Sequence, residues 1–331
     1  MTPPSPRAGP EGCRRSAIET AAARIRGHVR RTPMLEDEGL NALAGRRILL
    51  KCENLQVTGS FKARGGWNSV AALCEEGRPP GILAMSSGNH AQGVARAAAA
   101  HGLPCTVVMP TDAPSAKRAA TEALGAEIVA YDRASEDRDA LAAALADERG
   151  LVLIPPFDHP NVIAGQGTTG LEIAEQAAGA GAGAGAEGAE IVVCAGGGGL
   201  AAGIALATEG RHRVRTAEPD GFDDMARSLA AGVRVANAEA AGSLCDAVLT
   251  PMPGAITFPI LARLAGPGLV VTDGEAMHAV RHAFERLRLV VEPGGAVALA
   301  AALFRGDLPE TVIVTLSGGN VDPALFARAI A

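Results

Sequence analysis

Aromatic side chains are scarce in this chain, at 3% of 331 residues, with a single Trp and a single Tyr. Few platforms for stacking bases exist, and no Lys/Arg cluster is interleaved with aromatics, so no nucleic-acid partner is expected. Positive charge is also short, since 30 Lys and Arg against 36 Asp and Glu leave a formal charge of −6. No apolar run reaches the roughly 18 residues of a membrane span. The N-terminus lacks the charged-then-apolar order of a secretory signal. A cytoplasmic protein with no membrane partner is the expectation. Cys13, Cys52, Cys74, Cys105, Cys194 and Cys245 show no CxxC and no paired spacing. That pattern argues for buried or free thiols in a reducing compartment rather than a disulfide framework.

What is present reads as a globular α/β protein, with 48% apolar and 20% charged residues and a length that suits roughly two domains. Residues 1–15, opening Met-Thr-Pro-Pro-Ser-Pro, read as a disordered tail. Strand-like runs at Ile48–Leu50, Ile82–Met85, Cys105–Met109, Glu127–Ala130, Val152–Ile154, Ile191–Cys194, Arg213–Ala217, Leu269–Thr272 and Thr311–Thr315 alternate with Ala-rich helical stretches. The alternation predicts open, parallel, twisted sheets with helices on both faces. The Gly/Ala stretch Ala177–Gly188 reads as a flexible surface loop.

Chemistry concentrates in four glycine-rich turns. In Thr58-Gly59-Ser60-Phe61-Lys62, Thr58 and Ser60 are N-cap residue types and Gly59 permits a sharp bend, which places Lys62 just inside a helix. The positive end of the helix dipole there disfavours the ammonium form, so Lys62 is a candidate for attack on a carbonyl. Gly196-Gly197-Gly198-Gly199 follows the strand at Ile191 and precedes a helix at Leu200. Backbone N–H groups so placed cradle a phosphate. The same run also fits a lenient dinucleotide fingerprint with Glu218 as ribose acid, the basis for a dinucleotide-binding oxidoreductase as the alternative. Ser86-Ser87-Gly88-Asn89-His90 suits a substrate carboxylate at a helix N-terminus. Ser317-Gly318-Gly319-Asn320 closes the set.

These four motifs in order, with Lys51-Cys52-Glu53-Asn54 and Ala164-Gly165-Gln166-Gly167-Thr168, resemble the serine/threonine dehydratases. That family comprises fold type II pyridoxal-phosphate enzymes, tryptophan synthase β-like in fold and including relatives of serine racemase. The resemblance runs from about Arg30 to Asp322. It implies a large cofactor-binding domain over 16–80 and 158–331, with a small mobile domain over 81–157. It implies pyridoxal 5'-phosphate bound as a Schiff base to Lys62, its phosphate at Gly196, Gly197, Gly198, Gly199 and Leu200. Phe61 packs on the cofactor, Asn89 bonds its 3-hydroxyl and Ser317 faces its pyridine nitrogen. Ser86, Ser87, Gly88, Asn89 and His90 hold the substrate, with Ser87 on the face opposite Lys62. A neutral hydroxyl at Ser317 makes the ring a weaker electron sink than an aspartate would, which favours prompt loss of a β-leaving group. Glu292-Pro293-Gly294-Gly295 resembles a family turn near the cofactor, although Gly294 stands where the family more often has Ser.

The implied activity is an ammonia-lyase that converts a β-hydroxy amino acid to a 2-oxo acid, with L-threonine or L-serine as default substrate. Racemisation of serine by Lys62 and Ser87, or dehydration of 3-hydroxyaspartate, fits the same core. Glu218, Phe222 (through its carbonyl) and Asp224 resemble the metal loop of serine racemases and suit Mg, Ca or Mn. His278 and His282, four apart on a helix opened by a Thr272/Glu275 capping box, read as a solvated face rather than a metal pair. A homo-oligomer is expected. The chain ends soon after Asn320, so no feedback inhibition through a C-terminal regulatory domain is expected.

Overall fold

The computed structural model describes residues 12–331 apart from 87, 114, 133–134, 180, 182–183 and 240. Two sheets are built from β1 (Met34–Glu36), β2 (Arg47–Cys52), β3 (Gly81–Met85), β4 (Cys105–Pro110), β5 (Glu127–Tyr131), β6 (Leu151–Leu153), β7 (Glu190–Cys194), β8 (Val214–Pro219), β9 (Leu269–Val271) and β10 (Thr311–Leu316). The larger runs β1-β2-β10-β7-β8-β9 and the smaller β5-β4-β3-β6. β10 lies between β2 and β7, so Ile313 is opposite both Leu49 and Ile191.

Val312, Ile313 and Val314, like Ile191, Val192 and Val193, are fully buried. Unbroken β-branched runs of this kind belong to strands covered on both faces, which is why the parallel sheets were legible. One pairing departs from the parallel expectation, since β1 runs antiparallel to β2 with Leu35 opposite Leu50. Three residues at a sheet edge carry too little pattern to announce themselves.

Helices cover the faces of the sheets. Pro293–Phe304 is apolar all round and buried from Pro293 to Leu303, as a helix crossing a core must be. The helix Lys62–Gly77 packs against both Asn89–Ala100 and Pro160–Ala178. Close approach depends on glycine, because a Cβ at Gly93 would lie 2.7 Å from the carbonyl oxygen of Lys62. A buried ionic network ties the same helices to β2. Arg64 meets Glu53 at 2.7 Å and Glu172 at 2.7 Å, and Lys51 reaches Glu172 at 2.6 Å.

Candidate active site

A cavity of about 610 Å³ opens at the carboxyl ends of β3, β4, β7 and β10, where parallel sheets bind their ligands. It gathers Phe61, Lys62, Ser86, Gly88, Asn89, His90, Gly196, Gly197, Gly198, Gly199, Leu200 and Ser317, residues that are far apart in sequence. Ser87 lies outside the described residues.

The turn before Lys62 is not capped as its residue types suggested. Thr58 takes φ 60 and Gly59 φ 72, Ser60 is extended, and the N-cap position is Phe61 without a side-chain bond. The backbone docks instead on the Ser317 turn: Ser60 bridges Gly318, and the Phe61 N–H donates to the Ser317 carbonyl at 3.1 Å. Thr58 and Ser60 are thus held by tertiary pairing, which outweighs their local capping preference.

Lys62 Nζ donates to the Pro156 carbonyl at 2.7 Å and lies 5.1 Å from the Phe61 ring centre. Desolvation pushes its amine down to about 8, against the smaller opposing pulls of Cys194 and Glu292. The direction matches the sequence reading, but burial rather than the helix dipole is its largest cause. More neutral amine is available near neutral pH than on a solvated lysine.

The glycine run forms a tight turn at the start of a helix. Gly198 is the N-cap of the helix Gly199–Ala207 with φ 90, and a Cβ on Gly197 would fall 2.3 Å from the Phe157 ring. Only glycine fits this close approach to Phe157. On the facing side, Asn89 is the first residue of its helix and the Ser86 hydroxyl accepts from the Gly88 N–H at 3.1 Å. His90 is buried, bonds the Ile154 carbonyl through Nε2 at 2.8 Å, and is pushed down to about 3 by desolvation and then by Lys62. It is a neutral wall rather than an acid.

Several lining residues carried no recognised signal in the sequence. Cys194, separated from the glycine run by Ala195, faces Ser317, and burial pushes its thiol up to about 11. Lys117 and Arg138 bring positive charge to the cavity wall, with Lys117 paired to Asp246 at 2.6 Å. Position alone could have found Cys194; the two cations come from helices whose facing depends on the tertiary fold.

Glu218 and Asp224 stand apart from the cavity. Both Glu218 oxygens accept backbone N–H groups, from Met225 at 2.8 Å and Ala226 at 2.7 Å, at the start of the helix Asp224–Ala231. Asp224 Oδ1 accepts from Asn237, while Oδ2 has no partner among the described residues. Burial raises Glu218 well above the usual carboxylate range, with Asp224 adding to the rise, and lifts Asp224 to about 6. Phe222 is buried in the connecting turn. Among the described residues no group of three or more His, Cys, Asp or Glu side chains could hold a metal, His278 and His282 included. The Thr272/Glu275 capping box does form.

The chain is 40% identical over 318 residues to an L-threo-3-hydroxyaspartate ammonia-lyase of a Pseudomonas species, covering 94% of this chain and 96% of that protein. It is 36% identical over 318 residues to a serine racemase of Schizosaccharomyces pombe, covering 94% and 95%. The crystal structure of a T.th. threonine deaminase superposes with a TM-score of 0.86 at 44% identity, covering 93% of this chain and 98% of that one. No helix among the described residues is long and apolar enough to cross a membrane. The family description "Pyridoxal-phosphate dependent enzyme" matches residues 25–319, and with the cavity that gathers the lysine, the glycine cradle and the serine turns, this chain belongs to the pyridoxal-phosphate dependent enzyme family.

Proposed function

We propose that the protein is an ammonia-lyase that dehydrates a β-hydroxy amino acid with an acidic side chain, of the 3-hydroxyaspartate type, to a 2-oxo acid and ammonia. The observation that carries this reading is the cavity itself, which joins the desolvated Lys62 amine to the glycine cradle and adds Lys117 and Arg138 to its wall. Lys117 and Arg138 are paired with Asp246 and Asp139, and a transfer of either cation to a second substrate carboxylate would favour an acidic substrate over the neutral side chain of threonine or serine. The L-threo-3-hydroxyaspartate ammonia-lyase relative supports the same substrate class.

The residues fit the cofactor. Gly196 to Gly199 would hold the phosphate through backbone N–H groups, Asn89 would hold the ring hydroxyl, Phe61 would pack on the ring and Ser317 would serve its nitrogen. When bound, pyridoxal phosphate supplies the electron sink that makes the Cα–H bond acidic. Lys62 would hold the cofactor, and its desolvated amine would take the Cα proton as base. The Ser86–His90 helix start binds the α-carboxylate, and the walls of the cavity exclude water. The β-hydroxyl leaves as water, and hydrolysis of the product then gives the 2-oxo acid and ammonia.

A divalent cation, Mg, Ca or Mn, at Glu218, Asp224 and the Phe222 carbonyl would neutralise two buried carboxyl groups and use the unpartnered Asp224 Oδ2. Residues 81–157 form the small mobile domain that closes on substrate over 16–80 and 158–331. Racemisation is the second reading, supported by the serine racemase relative. Ser87→Ala separates the two: elimination needs only the lysine side and partly survives, whereas racemisation disappears. A panel of 3-hydroxyaspartate, threonine and serine, scored for 2-oxo acid release, tests the substrate. A visible absorption band abolished by borohydride tests the cofactor; its absence in cofactor-supplemented protein would overturn the reading.

A further inference from the structure

Glu292 precedes the helix Pro293–Phe304 without capping it, and only 1% of the residue is exposed. Its Oε1 accepts from Asn89 Nδ2 at 2.6 Å, and its Oε2 has no partner among the described residues. A carboxyl withdrawn from water with one oxygen unmatched is a costly arrangement. The bonds around Asn89 show what it holds in place.

The Thr58 carbonyl can only accept, so Asn320 turns its Nδ2 toward it, at 2.8 Å. The same Nδ2 donates to Asn89 Oδ1 at 2.7 Å. With its oxygen committed to Asn320, Asn89 directs Nδ2 to Glu292, an acceptor when ionised. A donor on one side and an acceptor on the other select one of the two amide orientations. One N–H of Asn89 is left for whatever occupies the cavity.

We propose that Glu292 is a positioning residue that locks the Asn89 amide, so that the remaining N–H is offered to the ring hydroxyl of the bound cofactor, and that the charge on Glu292 sets the strength of the lock. The proposal rests on the cofactor reading above. Burial lifts the Glu292 carboxyl to about 7; Asp246 adds to the rise, while Lys117, the Asn89 bond and Lys62 oppose it. Cys194 also feels its charge. Ionised, Glu292 makes a charge-assisted bond to Asn89, roughly twice as strong as a neutral one. Neutral, it carries its proton on Oε2, because Oε1 faces an N–H.

The test compares the holoenzyme with Glu292→Gln and Glu292→Asp, measuring cofactor dissociation and the absorption band of the bound cofactor across neutral pH. The parent band should shift with an inflection near 7. Glu292→Gln should lose that inflection and bind the cofactor more weakly, by up to about 10-fold, as loss of the charge assistance on the bond to Asn89 implies, and Glu292→Asp should retain a displaced inflection. In unloaded parent protein labelled with carboxyl-13C glutamate, one resonance should titrate near 7 and vanish in Glu292→Gln. Should Glu292→Gln not fold, Asn320→Ala removes the other half of the clamp and should weaken cofactor binding. Unchanged affinity and an unchanged pH inflection in a folded Glu292→Gln, or parent-like affinity in Asn320→Ala, overturns the proposal. A parent with no cofactor band would instead overturn the cofactor reading.

Discussion

The Lys62 amine donates to the Pro156 carbonyl at 2.7 Å, joining a helix docked on the Ser317 turn to the chain that leaves β6 in the smaller sheet. The contact spans the cavity, and it satisfies the amine without neutralising it. Lys62→Ala should reduce turnover by more than the roughly 10²- to 10⁴-fold typical of a general base alone, because covalent attachment is lost as well. Its melting curve should match the parent's, and near-normal activity would remove Lys62 from the mechanism.

Only neutral amine attacks an aldehyde, so the rate at which unloaded protein captures cofactor should climb with pH and level off above about 8, where the Lys62 amine titrates. A solvated lysine would keep climbing to its ordinary value of 10.5. Stopped-flow absorbance across this range distinguishes the two profiles.

Gly93→Ala would set a methyl group 2.7 Å from the Lys62 carbonyl oxygen, between backbones that cannot yield. A cost of about 1–3 kcal/mol is expected from overpacking of this kind. Cofactor affinity should fall with the melting temperature, since the displaced backbone is that of Lys62. A variant that melts like the parent would show that the helices can separate.

Arg64→Met should destabilise the protein by about 3–5 kcal/mol, the cost of leaving a buried partner charge uncompensated. Arg64 and Glu53 are both fully buried. Replacing Glu53 by Gln in the same chain should recover part of the loss, and denaturant unfolding of both variants measures it.

Glu218 and Asp224 are carboxyls whose folded titration lies above the ordinary range. Such groups bind more protons folded than unfolded, so the stability they add is full below the unfolded value of 3.8 for Asp224 and is lost as pH rises through about 6. With chelator, the melting temperature should therefore decline over this window. Added Mg or Mn should reverse the decline by favouring the ionised pair, and Asp224→Asn should abolish the response. Identical curves with and without metal would remove the metal assignment.

Much of the fold lay open in the sequence because burial on both faces writes itself as continuous runs, as at Ile191–Cys194 and Thr311–Leu316. The glycine run was legible for a related reason: local backbone requirements, such as φ 90 at Gly198, are met by residue type alone. The sequence by itself therefore determined the sheets and the glycine turn. Tertiary structure decided the rest. Thr58 and Ser60 surrendered their capping role because Asn320 and Gly318 offered the backbone better partners, and β1 exists only as the edge that β2 accepts. The charge environment also lay beyond the sequence. The packed chain excludes water from both groups, which raises Glu292 to about 7, with Asp246 adding to the rise, and lowers Lys62 to about 8, and desolvation depends on what surrounds a side chain in space rather than on its neighbours along the chain.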